Sequence, residues 1–558
     1  MTDSTPRSLL KPEHQLQAGI TQHWGHLYGS SFGLVIRQTA EEHDGPLLVI
    51  ADNNTSAQRL EDEIRFYLKG AEIPLLSFPD WETLPYDMFS PHQDIISDRL
   101  ATLYQLPRLK RGILVVSIQT LMHRISPHAF LDQHCLFLDV GQTLDLDEMR
   151  VRLDNGGYRH VSTVLEHGEF TIRGSLLDLF PMGSQVPYRI ELFDDEIETI
   201  RTFDPESQRS LEKTEQIRLL PAREFPLHKE AISRFRQAYR ARFEGDPSQS
   251  LIYRDISNGN ASPGIEYYLR LFFDELENLF QYLPDNTLLM NLQGIETASE
   301  GFWQDIAERY EQHRHDVERP LLPPEEVFLA ADEVSQQCQG FSRIELQHYE
   351  HDHEDAINFS SLAPPQLTLD ARASEPADKL LVFLGEFDGR ILFAAETTGR
   401  RETLLELLRG HGIQPCQFDS WQAFLASDKP IGITVAPMEH GLLLAEPRLA
   451  VIAEPQLFGQ TVMQRRRRQR AQRDTDSIVR NLAELTLNAP VVHEDYGVGR
   501  YLGLQTLQTG ELDTEFLTLE YAGGDKLYVP VASLHLISRY TGTTPETAPL
   551  HRLGSGQW

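Results

Sequence analysis

The sequence predicts a multidomain α/β protein: a parallel-sheet α/β domain interrupted by a β-rich insertion, then a small α/β domain and a C-terminal β-barrel. Three observations predict it. At 558 residues the chain is long enough for several domains of roughly 100 to 200 residues each. Mostly apolar runs at Leu47 to Ala51, Ile113 to Val116 and Thr287 to Leu292 read as buried parallel strands, and Leu60, Ile64, Tyr67 and Leu68 repeat at helical spacing behind the first. Between the second and third of these runs, and again near the end, short β-rich segments are separated by Gly and Asp turn signals.

Composition excludes several classes of function. Lys and Arg number 51 against 83 Asp and Glu, a formal charge of -32, which disfavours naked DNA as the main ligand. The three cysteines, Cys135, Cys338 and Cys416, lie far apart without metal-ligand spacing, so neither a disulfide framework nor a zinc knuckle is expected and a reducing cytoplasm fits. The first residues lack a signal-peptide core, and no run of about 18 apolar residues occurs. A soluble cytoplasmic protein with no membrane partner is the expectation.

Taken in order, the first α/β domain is expected over 1–134 and 222–345, with a helix that Ser97 or Asp98 caps and Pro107 ends. Its layout resembles the first helicase-like domain of the excision-repair protein UvrB, with Gly29-Ser30-Ser31-Phe32-Gly33 at the place of the phosphate loop. A working loop needs a Lys for the β/γ-phosphates and a hydroxyl for magnesium, and Phe32-Gly33-Leu34 supplies neither. The strand that would end in an Asp-Glu pair reads Leu289-Met290-Asn291-Leu292-Gln293. The resemblance therefore implies a degenerate, P-loop-type scaffold that holds no nucleotide. The stretch Phe78 to Asp87 reads as a proline-stiffened loop packing Trp81 and Tyr86, with its carboxylates solvated or capping helices.

Over 135–221 the pattern changes to adjacent strands, which an antiparallel sheet with one open face accommodates. Glu166 to Gly174, Leu176 to Pro181, Pro187 to Asp195 and Glu198 to Asp204 are its segments. They resemble the UvrA-binding domain shared by UvrB and the transcription-repair coupling factors. The resemblance implies UvrA contacts at Arg173, Arg189 and Phe193. Arg189, Glu191 and Phe193 share a face by the period of two, and Arg173 reaches it from a neighbouring strand. The competing reading pairs the arginines with Asp194, Asp195 or Glu198 and buries Phe193.

After a linker at 346–377, a small α/β domain spans 378–459, and its residues carry no recognisable chemistry. The linker holds His348-Tyr349-Glu350-His351-Asp352-His353-Glu354-Asp355, which reads as a solvated acidic loop rather than a metal site. Gln464 to Arg473 is the one dense basic run, within a linker at 460–478.

The barrel is expected over 479–545, before a further linker at 546–558. His493 to Tyr501, Tyr521 to Pro530 and Leu534 to Tyr540 closely resemble the RNA-polymerase-interacting domain of transcription-repair coupling factors, an SH3/Tudor-like, CarD-like barrel. The resemblance implies docking of Leu504, Gln505, Thr506 and Leu507 on the β subunit of RNA polymerase, with Leu507 as anchor. Strand addition would give the affinity. Leu504 and Leu507, three apart, fall on opposite faces unless a bulge intervenes.

From end to end the chain resembles the N-terminal half of that family. The resemblance implies a monomeric, non-enzymatic adaptor that holds stalled RNA polymerase and recruits UvrA. The family's DNA-translocating modules, which take ATP, magnesium and DNA, would lie beyond Trp558. The rivals are a UvrB-like ATPase or helicase on damaged DNA, and a polymerase-binding regulator without a repair role.

Overall fold

The computed structural model describes residues 21–352, 356–369, 376–458, 487–493, 495–509, 512–530, 536–540 and 548–553, without the side chains at 506–509, 512–515 and 539. The basic run from Gln464 to Arg473, and His353 to Asp355, lie outside the described residues. In the first domain seven strands form one all-parallel sheet. Its order is Ile357–Asn358, Thr21–Gly25, Ser342–Leu346, Leu288–Leu292, Pro46–Ala51, Gly112–Ser117 and Leu75–Ser77. Helices cover both faces of such a sheet, and every residue of Pro46–Ala51 and Gly112–Ser117 is accordingly buried. The helix Gln93–Gln105 begins before Ser97 and Asp98: the His92 side chain caps it by accepting from the Asp94 N–H. Ser97 instead accepts from the Gly183 N–H, 2.8 Å away, and so ties this helix to the β-rich insertion.

The insertion is a six-stranded sheet ordered Ser210–Thr214, Glu196–Phe203, Tyr188–Phe193, Leu176–Leu179, Glu169–Arg173 and Arg159–His160. Pairing is antiparallel except at Arg159–His160, which runs parallel to its neighbour. One face carries Phe170, Leu177, Leu179, Ile190, Leu192, Ile197 and Ile200 into the core, and the strand period places Arg173, Asp178, Arg189, Glu191 and Phe193 on the other.

The small domain is a mixed sheet in the order Ser361–Leu362, Leu442–Leu444, Leu449–Ala453, Arg390–Ala395, Ile431–Val435 and Cys416–Gln417. It shares a core with the first domain. Trp421 is buried with its ring edge-on to Tyr67 at 5.2 Å, and Gln422 Nε2 donates to the Tyr67 carbonyl at 2.8 Å. Removing such a ring from a packed interface is costly, because the hole cannot fully collapse.

The C-terminal module is a five-stranded antiparallel sheet ordered Lys526–Pro530, Leu512–Glu520, Gly497–Thr509, Pro490–His493 and Ile537–Arg539. Val491, Tyr501, Leu517, Leu519, Tyr521, Val529 and Ile537 form its core. A closed barrel was the expectation, and the sheet is open: among the described residues no pairing joins Lys526–Pro530 to Ile537–Arg539. The two central strands have 13 and 9 residues while those edge strands have 5 and 3, so the long hairpin runs on past its neighbours where closure would need matched strands. The module touches the first domain through His551, whose ring stacks on Phe89 at 4.4 Å and whose Nδ1 accepts from the Val498 N–H.

One buried ion pair fastens the first domain to the end of the insertion. Arg99 Nε donates to Glu224 Oε1 at 2.8 Å, Arg99 Nη1 donates to the Pro79 carbonyl, and Trp81 Nε1 donates to Glu224 Oε2. Both side chains are excluded from water, so each charge depends on the other. Arg99→Leu is expected to lower unfolding free energy by about 3–5 kcal/mol, because it strands a buried carboxylate. The double substitution with Glu224→Leu should recover much of the loss, and a double-mutant cycle in urea measures both.

Candidate functional site

The outward face of the β-rich sheet grades from covered to open. Asp178, Arg189 and Thr171 are cross-strand neighbours in one row. Asp178 is buried and takes both arginines: Arg189 donates from Nε and Nη2 at 2.7 and 2.9 Å, and Arg173 Nη2 donates at 2.6 Å. Arg189 is fixed further by the Gln208 carbonyl at 3.1 Å and lies over the Phe203 ring at 5.1 Å, leaving its side chain 15% exposed. Hydrogen bonding to Asp178 holds the Arg189 guanidinium above its ordinary pKa. Arg173 is 51% exposed in its side chain, and Phe193, at the turn into Asp194, is 75% exposed.

Phe193 is therefore not core, and the arginines pair with Asp178 rather than Asp194, Asp195 or Glu198. The sequence reading missed Asp178. Its signal was a lone acid in the apolar strand Leu176-Leu177-Asp178-Leu179, where a buried carboxylate demands cationic partners. The three residues do share a face, in unequal roles: Arg189 is a structural strut, while Arg173 and Phe193 present surface.

In the C-terminal module, Leu504 pairs with Leu517 and Gln505 with Phe516 across the central hairpin, after a register shift between Tyr501 and Gly503. Leu504 is 46% exposed although its partner Leu517 is buried, and Gln505 is exposed. Thr506 and Leu507 pair with Glu515 and Thr514, and their side chains lie outside the described residues.

Where the sequence resemblance places a phosphate loop, the helix Ser31–Glu42 begins after Gly29, whose φ is +57°. The Ser30 N–H donates to the Gly441 carbonyl at 2.9 Å, and Ser30 Oγ bonds the Tyr67 hydroxyl. A Cβ at Gly29 would lie 2.1 Å from that carbonyl and 2.8 Å from the Pro364 ring. The space before this helix terminus is thus filled by the chain itself. Behind it, burial pushes the Glu63 carboxyl up to about 8; Arg59 opposes this weakly from 3.9 Å, and Glu439 adds to the rise. The geometry alone would suggest an ion pair, but burial outweighs so distant a cation. In the strand Leu288–Leu292, Asn291 Nδ2 donates to Glu345. Among the described residues no group of three or more His, Cys, Asp or Glu is placed to hold a metal ion, and no helix is long and apolar enough to cross a membrane.

Three family models match in succession: UvrB interaction domain at residues 136–225, MFD, D3 domain at 383–457, and CarD-like/TRCF RID domain at 485–541. The transcription-repair-coupling factor of Escherichia coli (strain K12) is 46% identical over 97% of this chain and 47% of its own length. The chain belongs to the transcription-repair-coupling factor family. The Haemophilus influenzae (strain ATCC 51907 / DSM 11121 / KW20 / Rd) factor is 43% identical over 96% of this chain and 46% of its own, and the Myxococcus xanthus factor 29% over 98% and 47%. The chain thus spans about half the length of the coupling factors it matches. The exposed Phe193 and Arg173 lie inside the first matched segment and Leu504 inside the third.

Two outcomes follow. Phe193→Ala should change stability by no more than about 0.5 kcal/mol, whereas Arg189→Ala, which removes the bidentate partner of a buried carboxylate, should cost roughly 2 kcal/mol or more in thermal or urea unfolding. Because the folded pKa of Glu63 exceeds its unfolded value, the folded state binds the extra proton, and stability falls as pH rises from the ordinary carboxylate range through about 8. Glu63→Gln should remove that loss, with its largest stabilisation, about 1 kcal/mol or more, at pH 8 to 9.

Proposed function

We propose that this chain is the binding part of a transcription-repair coupling factor: it holds stalled RNA polymerase through its C-terminal module and recruits UvrA through the open face of its β-rich sheet. The observation that carries the reading is Phe193, a large aromatic 75% exposed on the same sheet face as a half-exposed Arg173. Aromatic and arginine residues are enriched among the residues that carry most of the binding energy at protein interfaces. Asp178 supports the site by orienting Arg173, which is drawn toward the sheet by a hydrogen bond of 2.6 Å.

The polymerase handle is assigned to Leu504, Gln505, Thr506 and Leu507 on the long central hairpin of the C-terminal sheet. Backbone pairing supplies affinity, and exposed leucine supplies an apolar anchor. The first domain serves as a helicase-like scaffold without catalysis. This is supported by the Gly441 carbonyl at the helix terminus where phosphates would bind, and by Asn291 where a carboxylate would hold magnesium. The chain itself takes no cofactor; ATP, magnesium and most DNA contact belong to translocase modules of the whole factor, which works as a cytoplasmic monomer. The domains are those expected from the sequence, except that Ile357–Asn358 of the expected linker adds a strand to the first sheet and Ser361–Leu362 one to the small domain's.

Binding of the purified chain to UvrA and to the isolated polymerase β-subunit lobe separates the two surfaces. Phe193→Ala should weaken UvrA at least about tenfold and leave polymerase unchanged. Leu504→Arg and Leu507→Arg should abolish polymerase binding and spare UvrA. Unchanged UvrA binding by Phe193→Ala would overturn the assignment of that face, and saturable ATP binding by the chain would restore the ATPase reading.

A further inference from the structure

A cavity of about 260 Å³ lies between the sheet face made by Leu288–Leu292 and Ser342–Leu346 and the helices Ile295–His313 and Ala331–Gln339. It is distant in sequence from the β-rich face and from the C-terminal hairpin. Its floor is rich in acceptors. Asn291 is 3% exposed and donates its Nδ2 to Glu345 Oε1 at 2.9 Å, while its Oδ1, buried with it, has no hydrogen-bond partner. A buried amide oxygen without a donor costs free energy, so the site is incomplete as it stands.

Charge points to what would complete it. Four carboxylates line the cavity, Glu296, Glu300, Asp332 and Glu345, against one guanidinium, Arg343, which already lies 3.6 Å from Glu345. Glu296 and Glu300 are exposed at the mouth, on the first turns of their helix. Burial raises the pKa of the Glu345 carboxyl, and Glu296 adds to the rise against the pull of Asn291 and Arg343. An anion would meet a net negative wall, and a neutral acceptor would leave Asn291 Oδ1 without a donor. A donor-bearing cation satisfies both. Between mouth and floor the walls include Ile118, Ile295 and Val334, which suit methylene groups.

We propose that this cavity binds an alkyl cation, an aliphatic chain ending in an ammonium or guanidinium, supplied by a free amine or by a lysine or arginine side chain of a partner protein. The cationic head donates to Asn291 Oδ1 and the Glu345 carboxylate, and the chain lies along the apolar walls toward Glu300.

Calorimetric titration with agmatine at physiological ionic strength tests this, with N-butylurea as the neutral control, since salt suppresses diffuse attraction to a chain of formal charge -32. One saturable agmatine site is expected, weakened about tenfold or more by Glu345→Gln and by Glu300→Lys, with no binding of the urea. Glu300 is exposed, so its substitution keeps the test valid should Glu345→Gln impair folding. N-acetyl-arginine N-methylamide distinguishes the sources: binding assigns the cavity to a protein side chain, and failure beside agmatine binding assigns it to a free amine. Absence of saturable agmatine binding, binding unchanged in Glu300→Lys, or equal binding of N-butylurea would each overturn the proposal and leave a hydrated cavity only.

Discussion

A guanidinium cut off from water organises the first domain. Arg99 sits in the helix Gln93–Gln105, before the β-rich insertion begins, and Glu224 lies where the insertion returns. An uncompensated charge at such depth is prohibitive, so the two segments meet or the domain does not form. The ring faces of Phe78 and Trp81 lie 4.1 and 5.1 Å from the guanidinium carbon, and the Pro79 carbonyl takes another N–H. The proline-rich loop is thereby ordered as a consequence of the ion pair: Trp81 spends its N–H on Glu224, and Tyr86 reaches the Leu322 carbonyl. The insertion's root is fixed by the same pair, so its outward face is presented from a rigid base.

Rigidity matters on that face because its two exposed groups are held differently. Arg173 is steered by a buried carboxylate, which limits the rotamers it must give up on binding. Phe193 sits one residue before Asp194, whose φ of +59° turns the chain, so its ring stands at the sheet's end with few neighbours. Arg189, although it resembles Arg173 in sequence context, is spent on Asp178 and on the carbonyl of Gln208. Its loss would act on the sheet first and on any partner second, which is why Phe193 is the sharper probe of the surface.

Much of this was legible because it follows from period and polarity. The buried strands at Leu47 to Ala51 and Ile113 to Val116 are unbroken apolar runs, which only a two-sided sheet accommodates, and Arg189, Glu191 and Phe193 alternate with Ile190 and Leu192 as a one-sided sheet requires. What escaped depended on which strands pair and in what register. Asp178 lies only 5 residues after Arg173 and 11 before Arg189, yet which cations its lone carboxylate takes is a matter of register between strands. The cap at His92 escaped because Ser97 and Asp98 are better capping residues by type; the Gly183 N–H, 86 residues on, decides the role of Ser97. Among the described residues the sheet does not close into the expected barrel, and turn signals do not report which strands pair at the ends of a sheet.

The start of the helix Ser31–Glu42 illustrates how a helix terminus can be satisfied from within the chain. The amides that open a helix need acceptors, and a loop without Lys has no charge with which to hold an anion against solvent. Here the acceptor comes from the small domain: the Gly441 carbonyl takes the Ser30 N–H, and Gly29 is the residue that allows the approach, because any side chain there would collide with that carbonyl. Trp421 then packs on Tyr67 and Gln422 bonds its carbonyl, so the same helices that would frame a nucleotide instead frame a neighbouring domain. A phosphate at this terminus would have to expel a backbone carbonyl and part a shared apolar core. The docking of the small domain and the closing of this helix terminus are therefore one event, in which an internal hydrogen bond takes an amide that would otherwise face solvent.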